Sequence, residues 1–587
     1  MPGNYPPAIM KYPKLLLQKL NEIWSGKHRS PVAVIVTAGG VSLLSYMVFA
    51  ILPLFIPGGD FSHFPPYMAL PDGGFDLENY YLLYLLIGIN ALLLFGMYFL
   101  SLKAVATLRD DAGAVLQPEH RRPWRNDRMT YYIFGITAVF HLVMLATPFL
   151  LSTDIFDYIR HGRIFALYGE NPLIVPATYF PHDPFFPMGG WVNTGSVYGP
   201  LHVYATGALA WLSGNGIGTN ILVFKSFFII LNLANVALIG MIAARLRPGL
   251  EKKAMLFYGW NPFILTLVVA NAHNDIFMLT FVLLGILCYV ENRLLSGAFF
   301  IMLATLVKFI ALPILLVYIA LVIRRQKSFG RRVFMGIGTA AATVLPAVVS
   351  YAPLWEGRDT FNYLITVGQK TNFTVAGMLR DVAAGHLQLS LSNTIVQLSL
   401  VALLVGFTFW HVFGVKDADG LLSAAAGIAF LAPLALFWFQ PWYLTLALGL
   451  LALRPWRLMY RAALLFSFTV MFFDSFWWHA PMSMNVEEPL RVLVVFGPPI
   501  ALLAVLKGRE ALPALYRRLM AWSHQGLGAR QAAGQAVCDP GVRRLVFELG
   551  TLLAAALVPM ALIVSNSPHL KDFVSLIAMK LKLLTRL

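Results

Sequence analysis

The chain is built mostly from apolar runs that are about as long as a membrane is thick. Hydrophobic residues make up 58% and charged residues 12% of its 587 residues, and the mean hydropathy is +0.69. A helix needs roughly 17–25 apolar residues to cross hydrocarbon, and in lipid only helices or closed barrels satisfy the backbone. We therefore predict an all-α, polytopic integral membrane bundle of about fifteen spans, with an outer-face loop that carries interfacial helices. The clearest runs are 31–56, 80–102, 131–151, 220–243, 254–270, 276–290, 333–352, 395–414, 421–439, 490–506 and 549–565.

The chain has a formal net charge of +16. Its basic residues lie in clusters between the apolar runs. This distribution follows the positive-inside rule, so we expect anionic lipid headgroups and not nucleic acid as the partner of the basic clusters. The two cysteines have no metal-ligand spacing and form no disulfide framework. We expect no metal and no cofactor. The predicted location is a multi-pass plasma (inner) membrane.

The predicted cytoplasmic clusters are Lys11–Arg29, Arg109–Arg128, Arg245–Lys253, Arg293, Arg324–Arg332, Arg454–Arg461 and Lys507–Arg544. Counting spans between them places the loops 57–79, 152–219, 271–275, 353–394, 440–442 and 474–489 on the outer side and leaves the connections between these loops' spans, such as 415–420, on the cytoplasmic side.

The same parity divides the sequence into four parts. We predict a cytoplasmic N-terminal segment at 1–30, a transmembrane core at 31–506 with a large outer loop at 152–219, a basic cytoplasmic connector at 507–548, and a last span with an amphipathic tail at 549–587.

Two apolar segments inside the core are too short to be ordinary spans. The run Leu201–Leu212 is predicted not to cross, because a crossing would put the basic cluster 245–253 outside. By the same parity, 294–323 is predicted to be a hairpin of two short helices that turns near Lys308 and Pro313.

Ionisable residues gather in the predicted outer loop. Helical spacing would put Asp154, Asp157 and His161 on one face, because positions three and four apart are neighbours on a helix. Ionisable groups at the mouth of a membrane bundle indicate a functional site. An interfacial helix with solvated charges explains the same pattern.

Other polar residues interrupt apolar sequence on the same predicted side. Residues 271–275 read Asn-Ala-His-Asn-Asp, which are also ordinary turn and cap residues. Lys308 stands where leucine would pack better, so we expect it to bind an anionic group such as phosphate. For Lys225, snorkelling to the interface is an equal explanation. The aromatic turn 440–443 fits either an interfacial belt or stacking on a sugar ring.

In this order the segments resemble the C superfamily of glycosyltransferases, multi-span enzymes that use polyprenyl-phosphate sugars as donors. The similarity is greatest to bacterial polyprenol-phosphomannose-dependent alpha-mannosyltransferases, and it covers roughly residues 130–445. The motifs that carry it are Ser152-Thr153-Asp154 through Gly162-Arg163, Gly169-Glu170-Asn171-Pro172, Tyr198-Gly199-Pro200-Leu201, Trp260-Asn261-Pro262, Asn271-Ala272-His273-Asn274-Asp275, Lys308, and Gln440-Pro441-Trp442-Tyr443.

The resemblance implies transfer of a single hexose, with mannose expected, from a polyprenyl-phosphate donor to a glycan or glycolipid hydroxyl. It implies inversion at the anomeric carbon and an active site on the extracytoplasmic side. Asp154 matches the family's catalytic carboxylate, and the candidates for contact with the departing phosphate are Lys308, Arg163 and Lys225. The candidates for contact with the acceptor or the sugar are Asp157, His161, Asn171, Tyr198, His273, Asn274, Asp275, Gln440, Trp442 and Tyr443.

Two other functions stay open at this point. A flippase or transporter of lipid-linked sugars would also have many spans, but its polar residues usually lie near the bilayer midplane in repeated halves. No internal repeat is evident here, and the polar residues gather toward one face. A ligase or polymerase of polyprenyl-linked glycans differs only in moving a longer glycan. Glucose, galactose or a pentose are alternatives to mannose.

Overall fold

A computed structural model of the protein describes residues 30–51, 59–60, 67–68, 81–108, 127–147, 152–368, 374–375, 377–378, 393–435, 439–454, 458–471 and 492–505. Within these ranges the protein is predominantly helical, as predicted. A short antiparallel pairing joins Gly59–Asp60 (β1) to Tyr67–Met68 (β2). The predicted basic connector and the last span with its tail lie outside the described residues, as does the N-terminal segment apart from Ser30.

The helices follow the apolar runs closely. Local signals start several of them: Asp127 and Ser328 cap two N-termini by accepting backbone N–H bonds, and Pro200 opens a third helix. The α-helices are Pro31–Ile51 (α1), Tyr81–Val105 (α2), Arg128–Ala146 (α3), Asp154–Ala166 (α4), Pro200–Ser213 (α5), Ile217–Leu246 (α6), Glu251–Gly259 (α7), Asp275–Val290 (α8), Leu294–Val307 (α9), Leu312–Arg324 (α10), Phe329–Tyr351 (α11), Asn362–Gly368 (α12), Asn393–Gly414 (α13), Ala418–Ala435 (α14), Leu444–Ala452 (α15), Leu458–Thr469 (α16) and Val492–Val505 (α17).

Six helices of the described chain are long and apolar enough to cross a membrane. They include α6, which is 30 residues long, and α11, whose outward surface carries many exposed apolar side chains such as Phe334 and Val349. An apolar exterior of this kind suits lipid contact. The other crossings among the predicted fifteen stay a prediction. The six segments are Pro31–Val48, Gly88–Val105, Arg128–Ala146, Ile217–Leu246, Phe329–Leu354 and Ala418–Ala435.

The protein divides into two compact units. The first consists of the chain up to Leu364 together with Val412–Ala424, and the second of Ile365–His411 together with the chain from Ala425 onward. In the first unit α1 packs against α2, α4 lies on α5, and α8 packs against both α6 and α9. In the second unit α15 packs against α16.

The segment 294–324 is two short helices, as the sequence predicts. Helix α9 ends at Val307, Lys308 has an extended backbone, and a single 3-10 turn leads into α10. The two helices lie side by side, and the Tyr318 hydroxyl in the middle of α10 donates to the Leu294 carbonyl at the start of α9 (2.9 Å). Lys308 therefore stands at the turn of a helical hairpin.

The run 254–270, predicted as one span, is instead a broken helix inside the protein. Helix α7 ends at Gly259, and a π-helix follows over Ile264–Val269, with every side chain buried. Asn261 Oδ1 accepts from the Phe263 N–H at its start (3.0 Å), and Asn271 Nδ2 donates to the Thr266 carbonyl at its end (3.0 Å). Irregular backbone at membrane depth is tolerated where protein covers it and satisfies its polar groups.

Segments predicted to share the cytoplasmic face contact one another at one end of the first unit. The ion pairs there are partly exposed, so each contributes little to the free energy of unfolding. Their value is that they show which segments of the chain lie next to one another. Each pair joins two different predicted cytoplasmic segments. The pairs are Lys252–Asp127 (2.8 Å), Arg245–Glu291 (2.6 Å) and Arg247–Asp419 (2.6 Å).

Segments predicted to share the outer face also contact one another. The loop after α4 and the start of α5 are bonded to the C-terminal ends of α9 and α11. The assignment of either end of the unit to a side of the membrane stays a prediction. The bonds are Gly199 N–H to Val307 O (3.1 Å), Tyr204 Oη to Ser350 O (2.7 Å) and Asn171 Nδ2 to Leu354 O (2.9 Å).

Candidate functional site

Asp154 is the first residue of α4, and its side chain is only partly covered. The Ser152 hydroxyl accepts the Asp154 N–H (3.3 Å), which begins the helix, and 19% of the carboxylate side chain is exposed. Burial, together with the nearby carboxylates of Asp157 and Asp275, raises the pKa of Asp154 to about 7, although Lys308 acts in the opposite direction. A carboxyl group with a pKa near 7 is suited to accept a proton at physiological pH.

Asp275 and Lys308 form a buried ion pair beside Asp154. Asp275 is the first residue of α8, with 1% of its side chain exposed, and Lys308 lies at the hairpin turn with 14% exposed. The Lys308 ammonium donates to both carboxylate oxygens, at 3.0 and 2.9 Å. The tertiary fold thus joins two positions 33 residues apart that the sequence suggested independently.

The Tyr198-Gly199-Pro200 turn fixes the loop on this hairpin. The Gly199 N–H donates to the carbonyl of Val307 (3.1 Å), and a Cβ at Gly199 would overlap the Leu306 carbonyl. Only glycine allows this close backbone approach. As a result the Tyr198 ring lies 5.8 Å from the Lys308 ammonium nitrogen.

The Asn-Ala-His-Asn-Asp segment brings two more buried side chains to the same place. Ala272 has a left-handed backbone (φ 56°), which turns the chain sharply before α8. The His273 Nδ1 atom then lies 3.7 Å from Asp154 Oδ2, too long for a hydrogen bond. Burial and the nearby Lys308 hold the pKa of His273 well below its usual range, so this contact is between a neutral imidazole and the carboxyl group. Asn274 is fully buried next to Asp275, and its amide atoms have no hydrogen-bond partner among the described residues.

Two buried arginines of α4 hold the loop that follows this helix. Arg160 is paired with Asp157 and donates to the carbonyl of Met188. One turn further on, Arg163 donates to Asp183 through Nε (2.8 Å), with Tyr168 bound to the same carboxylate oxygen (2.8 Å).

Arg163 also reaches the far end of α5. Its terminal nitrogens donate to the Gly214 carbonyl (2.7 Å) and to Asn215 Oδ1 (3.0 Å), and the residue is 2% exposed. Between the two arginines, a Cβ at Gly162 would overlap the Thr206 carbonyl, so α4 and α5 are in backbone contact. This partner set suits a residue that positions the loop, and it differs from the phosphate contact expected from the sequence.

Other predicted site residues also make protein contacts away from the Asp275–Lys308 pair. Lys225 is fully buried and donates to the Thr147 carbonyl (2.6 Å). His161 Nε2 lies 3.4 Å from the Thr194 carbonyl. Asn171 makes two bonds to separate segments. Its amide donates to Leu354 O, and its Oδ1 accepts the N–H of Leu173 in the same loop (3.0 Å).

Gln440, Trp442 and Tyr443 belong to the second unit. Pro441–Tyr443 forms a 3-10 turn after the extended Gln440 and leads into α15. Trp442 is buried there, with 7% exposed. Their predicted role in sugar binding stays a prediction.

His202 is a buried residue of this region that the sequence did not point to. It lies on α5, is fully buried, and its ring centroid is 4.6 Å from that of Tyr198 and 5.0 Å from that of Tyr158. The available signal was weak: a lone histidine four residues after Tyr198 in an apolar segment. Packing alone explains such a histidine as often as a function does.

Comparison with known proteins bears on this same region. Residues 84–325 match the family model described as alpha-(1->6)-mannopyranosyltransferase, N-terminal domain. The chain is 25% identical over 199 residues to alpha-(1->6)-mannopyranosyltransferase A of Corynebacterium glutamicum, a match that covers 32% of this chain and 37% of that protein. It is 30% identical over 149 residues to a probable alpha-(1->6)-mannopyranosyltransferase of Mycolicibacterium smegmatis, which covers 24% of this chain and 26% of that protein.

The matches span less than two fifths of the relatives' own length. They nevertheless agree with the motif order, and the matched segment contains Asp154, His202, Asp275 and Lys308. The apolar helices fit a membrane protein. The resemblance to mannosyltransferases that the motifs predict is therefore confirmed: residues 84–325 match the family model, and both relatives carry the name of an alpha-(1->6)-mannopyranosyltransferase.

Proposed function

We propose that the protein transfers one mannosyl residue from a polyprenyl-phosphate donor to a hydroxyl of a glycan or glycolipid, with inversion, at the extracytoplasmic face of the membrane. One observation carries this proposal. Asp154, a partly exposed carboxylate with a pKa of about 7, stands beside the Asp275–Lys308 pair. The cluster therefore combines a base and a cation, which a displacement at the anomeric carbon requires.

The chemistry follows from these two groups. Asp154 takes the proton of the acceptor hydroxyl while the oxygen of that hydroxyl forms a bond to the anomeric carbon. The bond from that carbon to the phosphate oxygen breaks, and the phosphate departs with the electron pair. Lys308 stabilises the charge that develops on the leaving phosphate. One displacement turns a beta-linked donor into an alpha-linked product.

The donor assay tests the function directly. Purified protein receives either polyprenyl-phosphate mannose or GDP-mannose, together with a mannoside acceptor, and the product anomer is identified by NMR. We expect transfer from the lipid donor alone and an alpha linkage. Transfer only from GDP-mannose would refute the proposal. Transfer of a long glycan in one step would favour the ligase. Transfer from another lipid-linked sugar would correct the identity of the donor sugar and leave the proposed reaction in place.

Cysteine labelling tests which side of the membrane the loop after α4 faces. Tyr179 in the loop after α4 is 73% exposed, and Lys416 between α13 and α14 is also exposed, on segments predicted to face opposite sides. In a variant without Cys288 and Cys538, Tyr179→Cys should react with an impermeant thiol reagent added to whole cells. Lys416→Cys should react only after the cells are opened. The reverse pattern would move the site to the cytoplasmic side.

A further inference from the structure

His202 is a fully buried imidazole without a hydrogen-bond partner for either nitrogen among the described residues. Buried polar groups in folded proteins are nearly always hydrogen-bonded, so an exception calls for an explanation. Burial holds the pKa of His202 well below its usual range, with Lys308 and His161 lowering it further. The imidazole is therefore neutral and presents one donor and one acceptor.

The surroundings of His202 connect it to the proposed reaction centre. Its ring contacts the rings of Tyr158 and Tyr198. Tyr198 lies 5.8 Å from the Lys308 ammonium, and Tyr158 is within electrostatic range of both Asp154 and Asp275. His202 thus approaches the reaction centre from α5, whereas the unpartnered amide of Asn274 approaches it along the chain next to Asp275.

A neutral group that offers one donor and one acceptor is chemically matched to a sugar hydroxyl, which also donates and accepts. A charged ligand group would find better partners in Lys308 or Asp275. Small-molecule sites are typically apolar or aromatic surfaces with a few placed polar groups that fix orientation. The two tyrosine rings and the His202 nitrogens provide this combination.

We propose that His202 binds a hydroxyl of the transferred sugar and thereby contributes to the choice of donor. The inference rests on the proposed function, because it assumes that the donor's phosphate lies at Lys308. The sugar attached to that phosphate would then lie against Tyr198, within reach of the imidazole. His202 is a binding residue in this arrangement and takes no proton.

The test pairs two variants of His202 with a set of deoxy donors. His202→Leu removes both polar atoms at similar size, and His202→Gln keeps one donor and one acceptor. Polyprenyl-phosphate mannose and its 2-, 3-, 4- and 6-deoxy forms serve as donors, and kcat/KM is measured for each. A neutral hydrogen bond to substrate is worth up to about tenfold in this ratio.

We expect wild-type protein to discriminate about tenfold against one deoxy donor. In His202→Leu, kcat/KM for the intact donor should fall about tenfold, and the discrimination against that one deoxy donor should disappear. His202→Gln should retain part of this discrimination. Without substrate, the Tm of His202→Leu should equal or exceed that of wild type, because the imidazole makes no hydrogen bond within the described part of the chain. Thr206→Ala is the control on α5, since that hydroxyl bonds only carbonyls of its own helix among the described residues.

The outcomes separate the two proposals. An unchanged deoxy pattern in His202→Leu, with wild-type protein active on the lipid donor, would remove His202 from the site and leave the function intact. A fall in Tm that parallels the loss of activity would show a packing role only. Wild-type protein that uses no lipid-linked sugar would overturn the function and the role of His202 with it.

Discussion

Replacing Asp154 with Asn should lower kcat by about 10²–10⁴, because the amide keeps the size of the carboxyl group but cannot accept the proton. Donor binding should change little, since the charge at Lys308 is retained. The measurement is single-turnover transfer from polyprenyl-phosphate mannose by purified protein. Near wild-type turnover would remove Asp154 from the role of base.

Asp419→Asn is the matched control for this change. Asp419 also belongs to an ion pair of the first unit, with Arg247, but it is half-exposed and lies among the segments predicted to be cytoplasmic. Its removal eliminates a carboxylate without touching the proposed site. We expect Asp419→Asn to keep wild-type turnover.

The pH dependence of turnover gives a second readout of the same residue. Because the pKa of Asp154 is raised to about 7, the group is protonated and inactive below that pH. The rate should therefore rise as the pH increases through about 7 and then level off. An ordinary carboxylate would give a rise near pH 4, and Asp154→Asn should abolish the rise near 7.

Replacing Lys308 with Met should both destabilise the protein and weaken donor binding. The change leaves Asp275 buried without its cation, and breaking a buried ion pair in this way costs about 3–5 kcal/mol. An ammonium group carries three N–H donors, which lets one lysine bind a carboxylate and a phosphate oxygen together. Loss of the cation should therefore weaken donor binding as well as folding.

The double variant Lys308→Met with Asp275→Asn separates these two effects. It removes the buried charge along with its partner, so the Tm should return most of the way to that of wild type. Donor affinity, measured with a non-transferable polyprenyl-phosphate sugar, should stay as weak as in Lys308→Met. Recovery of donor affinity in the double variant would mean that Lys308 serves only to neutralise Asp275.

Local sequence was sufficient for much of the architecture. Helix positions follow the apolar runs within a few residues, and the short run 294–323 is correctly predicted as a hairpin that turns at Lys308. Hydropathy reports such elements because burial in lipid or protein acts on each segment separately. Apolarity alone did not indicate the break inside the run 254–270, because it is equally suited to a continuous helix and to a helix interrupted before a π-helix.

The positions of the candidate site were also largely visible in the sequence. Asp154, His273, Asp275 and Lys308 came from three separate segments, and the structure brings them together. Arg163 was expected at the phosphate, yet its bonds go to Asp183 and the end of α5. A buried arginine looks the same in sequence whether it binds a substrate or a loop.

The sequence by itself determined that this is an apolar helical bundle with its polar residues in a fixed order of motifs. Only the tertiary structure decided which of those residues face one another. It paired Lys308 with Asp275, bonded Arg163 to the loop after α4 and to the end of α5, and left His202 buried against two tyrosines. The physical reason is that helix formation depends on neighbours within a few residues, whereas side-chain partners depend on how whole helices pack.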